Sequence, residues 1–469
     1  MLDANPADLQ PRVTFNAPWE PLILRRGDAL GLRALADQFA HAVAPELSNR
    51  IRDGRWVTIL AWCLVRAQEV STASGAGAIL TRAQQDARYA WLRPLELMWI
   101  ARTMVLTTDW RKRRLAGQRS IKLWSDFGKN RRPARFGMSE DQFVGYRQTG
   151  MYGGYRLAFR MWPGLTLHGD GWTPGSATQQ LAKWLDGKLG SAKLPWKLGG
   201  NAQDDDYLSP RKAKLGVNQE EQWWLRHWPT FELASRTADA NTLPRPRHEC
   251  TVLPEANLLQ PLIFGDDHSG VRRREVAHAL EKIKATDHLS VCRALRSKFP
   301  TDPIIDLLPQ FSRLADAGID AMDLIATALA DQPSITLKAV AEHPDAKSVC
   351  DELIDASRAW LARSDIPLSH IETADLFAGA MTNKKPVECL TAVLQHHEQH
   401  GGGLHWFFLN GKRIEPLTPP SNGASRYRFR LASLSRLALQ SGLIHKVPDA
   451  LLETDEFEDD NDLEEMSAA

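Results

Sequence analysis

Apolar residues recurring at intervals of three and four, broken every 10 to 20 residues by proline or glycine, constrain this chain most. That period places a continuous apolar stripe on an α-helix and on no other regular structure. Leu32, Leu35, Phe39 and Val43 make one such stripe, in a helix that Asp28 opens and Pro45 ends. A second helix is expected from about Trp56 to Val70, apolar nearly all round, and a third over 81–106 that Pro94 kinks or divides. Another should run from Pro174 to Leu189 with its proline in the first turn. Asn218 with Glu221 has the capping arrangement that opens the helix carrying EEQWWLRHW.

From Ser269 to about Gly379 the pattern is a run of amphipathic helices, among them VRRREVAHALEKI, HLSVCRALRSKF and VCDELIDASRAWLARS. The piece that follows differs. After VECLTAVLQHHEQH and three glycines, LHWFFLN and KRIEPL are set to pair through Gly411, RYRFRL alternates as a strand, and ASLSRLALQSGLI reads as a helix. The expected fold class is therefore mainly α: a multi-domain helical protein with a small C-terminal α+β unit of winged-helix-like layout. The expected divisions are a helical domain 1–189, a connection 190–217, a helical domain 218–385, the α+β unit 386–446 and an acidic tail 447–469, disordered in isolation.

Charge is segregated along this frame, and the formal total of +1 is a cancellation. Residues 102–160 hold 14 Lys and Arg against 4 acids, while 447–469 hold 10 acids and no Lys or Arg. In the basic stretch, cations alternate with rings and glycines, the composition that neutralises phosphates and offers faces to bases. The candidate nucleic-acid contacts are Arg111, Lys112, Arg113, Arg114, Arg119, Lys122, Lys129, Arg131, Arg132, Arg135 and Arg156, with Trp124, Tyr152 and Tyr155 for stacking or for simple packing. A protein-facing basic surface, or a solvated one paired with acids elsewhere, is the alternative. The acidic tail could lie over the basic stretch as a phosphate mimic.

Familiar catalytic signatures are absent: the chain has no phosphate-binding loop, no dinucleotide fingerprint and no nucleophile elbow. In HHEQHGGGLHW, His396 and His400 share a helix face, but the glutamate stands wrongly for a zinc hydrolase, and histidines suit a helix C-terminus electrostatically. No metal and no cofactor is expected. Asp170, the run Asp204–Asp206, Asp266 and Asp267 read as loop and turn residues. A metal-dependent nuclease using Asp170 and Asp206 is the second reading, and a protein-interaction scaffold the third. Most of the 16 tryptophans are expected as core anchors. The five cysteines are scattered, which disfavours disulfides and a cysteine zinc cluster. WVTILAWCLV is too short to span a bilayer and the first residues do not read as a secretory signal, so a reducing cytoplasm is the expected location.

Two stretches, PELSNRIRDGRWVTILAWCL and GYRQTGMYGGYRLAFRMWPGLT, together resemble uncharacterised helical proteins encoded beside bacterial anti-phage defence and mobile-element operons. The resemblance covers about the first 170 residues and transfers no catalytic residue. It implies membership of a multi-gene defence system, acting on nucleic acid together with a separately encoded motor or nuclease. The reading of the chain as a whole is a non-catalytic subunit, with nucleic acid, DNA in preference to RNA, and separately encoded protein subunits as its partners.

Overall fold

Among residues 28–48, 50–70, 80–106, 150–189, 243, 250–330, 332–363, 366–382, 384–402, 405–417 and 426–452, which the computed structural model describes, helix predominates. The exception is one small antiparallel sheet near the C-terminus. The chain folds as two units, each assembled from segments distant in sequence: one from the described residues of 1–45, 278–432 and 447–466, the other from those of 46–277 and 433–446.

In the first unit, the long helix Pro303–Leu329 is the axis of the core, with Arg33–Val43, His288–Lys298 and Ala346–Leu361 packed on it. It starts where Asp302 accepts hydrogen bonds from the Ile304 and Ile305 N–H groups, both at 3.0 Å, with Pro303 in the first turn. Phe311 stands at the centre of an aromatic cluster, stacked on Phe39 at 4.8 Å and within 6.2 Å of Phe429, Trp360 and Tyr427. Gly318 allows the closest approach: a Cβ there would lie 2.6 Å from Leu30 Cδ1 and 2.8 Å from Phe377 Cζ.

The hairpin forms as its sequence suggests. Strand β2 (Phe407–Asn410) pairs with β3 (Arg413–Pro416) across a turn in which Gly411 has φ +62°, a conformation that costs glycine nothing. A third strand, β1 (Ile335–Thr336), pairs with the other edge of β3, so the sheet order is β1-β3-β2. RYRFRL is not a strand. Tyr427 and Phe429 are buried while Arg428 pairs with Asp316 at 3.1 Å, Arg430 with Asp37 at 2.9 Å, and Arg426 with Asp320. The alternation is real, but ion pairs and left-handed Phe429 and Arg430 (φ 53° and 60°) turn the chain into the helix Leu431–Gln440 instead of a ladder.

In the second unit, Gly54–Val70 packs against Arg82–Leu106 and Ser176–Lys188. The 82–106 stretch is one helix with Pro94 inside it. The helix expected from Pro174 begins at Ser176, because Pro174 bridges to Thr166 and the Gly175 N–H donates to Leu165 O at 2.8 Å. Backbone pairing there competes with the first helical turn. Trp62 and Trp99 meet edge to face at 5.9 Å in this core, and Trp62 Nε1 donates to Asp186 at 2.7 Å. The connection expected over 190–217, the helix expected from Asn218 and the tail from residue 453 lie outside the described residues.

A charged cluster organises the start of Gly54–Val70. The Arg55 guanidinium grips Glu255, with Nε 2.8 Å from Oε1 and a second nitrogen 2.9 Å from Oε2, and Thr58 donates to the same carboxylate at 3.0 Å. Both charged side chains are fully buried. Burial holds the Glu255 carboxyl above its ordinary range, although Arg55 acts in the opposite sense. Gln440 closes the cluster, accepting from the Gly54 N–H at 2.8 Å and donating to Asp53 at 3.1 Å.

Candidate nucleic-acid interface

In sequence, residues 107–149 of the basic stretch are flanked by the helices Arg82–Leu106 and Met151–Met161, both in the second unit. Those two helices are tied by one carboxylate. Glu96, fully buried, accepts from the Met151 N–H at 2.8 Å and the Tyr152 N–H at 3.0 Å. It therefore satisfies two donors that a helix start leaves unpaired, and places negative charge at the positive end of the helix dipole. No sequence pattern pointed to Glu96, because its partners lie 55 and 56 residues away.

Three of the candidate contacts fall on the helix Met151–Met161. Tyr152 is 1% exposed, packed on Trp172 at 5.0 Å and Phe159 at 5.5 Å. Tyr155, also 1% exposed, accepts from the Arg52 and Asp53 N–H groups at 3.0 Å each and donates to Asp53 O at 3.1 Å. Burial raises its phenol pKa. Both rings fill the core, so packing, the simpler of their two expected roles, is the one they perform. Arg156 is half-buried, its guanidinium 5.2 Å over the Trp172 ring. Arg111, Lys112, Arg113, Arg114, Arg119, Lys122, Trp124, Lys129, Arg131, Arg132 and Arg135 lie outside the described residues.

Beside Arg156 the same helix exposes Leu157, Arg160 and Met161, and the following loop exposes Leu167. Arg156 and Arg160, four apart, share that face. The loop is held by Asp170, which accepts from the Trp172 and Thr173 N–H groups at 2.7 and 2.8 Å and from Thr173 Oγ1 at 2.6 Å. Its carboxylate is occupied in shaping a turn.

The remaining acids behave similarly. Asp266 pairs with Arg274 at 3.2 Å on the surface, and Asp267 accepts from the Gly270 N–H at 2.9 Å near the start of the helix His268–Glu281. Asp204–Asp206 lie outside the described residues. In the first unit, His396 contacts Leu30 O at 2.9 Å, and His397 contacts Ala29 O at 2.7 Å while accepting from the Trp406 N–H at 2.9 Å. The histidines thus fasten the segment before Arg33–Val43 onto the helix Pro386–His400, and no cluster of three or more His, Cys, Asp or Glu suited to a metal ion occurs among the described residues. No described helix is long and apolar enough to cross a membrane. No protein family, curated protein or solved structure matches this chain.

Proposed function

We propose that this chain binds nucleic acid through the stretch between its two Glu96-tied helices, as a non-catalytic subunit of a larger assembly. The supporting observation is compositional and positional together. Residues 107–149 carry 11 Lys and Arg against 4 acids, and the chain that brackets them is anchored at both ends by one buried carboxylate. Phosphate neutralisation by such a stretch is independent of sequence and steep in salt. Arg156, Arg160 and the exposed Leu157 and Met161 would extend the contact onto the helix Met151–Met161. DNA is the preferred partner, and separately encoded subunits would supply any chemistry, in line with the resemblance of the first 170 residues to proteins of defence operons.

The test is fluorescence polarisation against single- and double-stranded DNA and RNA across a salt series. Replacing Arg111, Arg113, Arg131 and Arg132 together by Ala should weaken binding uniformly across sequences and lower the slope of log affinity against log salt by about 3. Unchanged affinity and slope would remove this stretch as the interface.

A further inference from the structure

The geometry points to a phosphate-binding groove in the first unit, between the helices His288–Lys298 and Pro303–Leu329, that is separate from the basic stretch and independent of the reading given to it. The groove is open to solvent and has a volume of ≈ 660 Å³. Its rim carries Arg293, Arg296 and Arg313 against one acid, Asp306, with Gln310 between them. Helical spacing explains why they converge. Arg293 and Arg296 are three apart on one helix, and Asp306, Gln310 and Arg313 follow at four and three on the other, so both stripes face the channel between them.

Donor capacity in this groove exceeds what the protein uses. A guanidinium carries five N–H donors. Arg296 spends its Nε on Asp306 at 2.7 Å, and Arg313 spends Nε and one terminal nitrogen on Glu352 at 2.6 and 2.7 Å. The terminal nitrogens of Arg296 and one of Arg313 remain for a ligand. The Arg293 side chain is exposed and makes no hydrogen bond or ion pair with any described residue. Gln310 lines the same groove; its buried Oε1 has no hydrogen-bond partner and, as an acceptor, takes no part in holding an anion, a role that falls to the Nε2 donors of the same amide. The whole Arg293 guanidinium, together with the remaining N–H groups of Arg296 and Arg313, suits a tetrahedral oxyanion, which takes N–H donors from several directions. Carboxylates would use one fork only. A small phosphorylated molecule and a nucleic-acid backbone present the same oxygens to such a groove.

Isothermal titration at low ionic strength with inorganic pyrophosphate, ADP and a short single-stranded DNA separates these sources. Binding of pyrophosphate and ADP assigns a small ligand, and binding of the oligonucleotide alone assigns the backbone. In either case Arg293→Ala should weaken affinity about tenfold, Arg293→Lys should recover part of it, and Lys338→Ala, a cation outside the groove, should change nothing. Because the Arg293 side chain is exposed and acts on Asp287 only through its charge, with no hydrogen bond or ion pair to a described residue, the variant should keep the parent's fold, checked by its melting temperature. Failure of all three probes to bind, or affinity that Arg293→Ala leaves intact, overturns the proposal. The pyrophosphate and ADP arms bear on the groove alone, whereas a silent oligonucleotide also counts against residues 107–149; running the oligonucleotide arm in the four-arginine variant keeps the two sites apart.

Discussion

Tyr427 donates its hydroxyl proton to Asp28 Oδ1 at 2.7 Å across 399 residues of sequence, and the same carboxylate receives the Arg33 N–H at 3.2 and 3.3 Å. Asp28 thus opens the helix Arg33–Val43 from five positions upstream while holding it to the far end of the unit's chain. Burial raises the Asp28 pKa, and the Tyr427 hydrogen bond and the Arg33 charge oppose that rise. Tyr427→Phe should destabilise the unit by ~1–3 kcal/mol at neutral pH, measured by urea unfolding. The loss should shrink in acid as Asp28 takes up a proton, because the hydroxyl serves the charged form.

Arg55 and Glu255 make a fully buried pair, so their separation costs more than their joint removal. Glu255→Leu alone should cost ~3–5 kcal/mol by stranding a charged guanidinium, whereas Arg55→Met with Glu255→Leu should restore most of that stability. A double-mutant cycle by chemical unfolding measures the difference, and additive single losses would show that the pair is not coupled.

His396 is held neutral by burial, its pKa pushed down to about 4. The backbone bond to Leu30 opposes that shift, and the neighbouring His400 and His397 reinforce it. In the unfolded chain the imidazole protonates first as pH falls, so this contribution is complete above about pH 6.5 and drains away toward pH 4. The loss amounts to ~3 kcal/mol at most. Urea midpoints should therefore drop between pH 7.5 and pH 5, and His396→Gln should flatten that dependence. His288, lowered by burial and by Arg428, should leave a residual slope of the same sign in that variant.

Gly318 has no room for a branched side chain against Leu30 and Phe377. Gly318→Val should lower stability by ~1–3 kcal/mol, read as a fall in Tm. Gly318→Ala should do less harm, since the gain in helix propensity offsets part of the crowding. Shortening Leu30 to Ala should relieve the alanine variant, a non-additive pairing that thermal melts would register.

Burial raises the Cys63 and Cys292 thiols and pushes Cys250 up to about 11. All three should react slowly with Ellman's reagent in the native protein and at once after denaturation.

Much of this fold was legible in local sequence. Helices such as Arg33–Val43 and Ala346–Leu361 follow from apolar spacing alone, and the β2–β3 hairpin follows from Gly411. What remained illegible depends on distant partners. Two residues, Ile335 and Thr336, have no periodicity that could announce a third strand. RYRFRL alternates because Asp37, Asp316 and Asp320 wait for its arginines, a cause that no window of six residues contains. No motif marks the groove arginines, since only the packing of the partner helix turns two stripes into one channel. Tyr152 and Tyr155 sat among cations in sequence, yet Trp172 and the Asp53 backbone claim them.

Residues 28–45 of the first unit are made by the ribosome long before the residues that surround them. Phe39 stacks on Phe311, Asp28 waits for Tyr427, and Leu30 and Ala29 wait for His396 and His397. The second unit has the same debt, because Gly54 and Leu253 bond to Gln440. Neither unit can close on the nascent chain until about residue 440 has left the exit tunnel, and each must shield an apolar helix face meanwhile. Folding of this protein is therefore posed as a problem of timing, set by the order of its segments, because distant contacts must wait for chain that is made last.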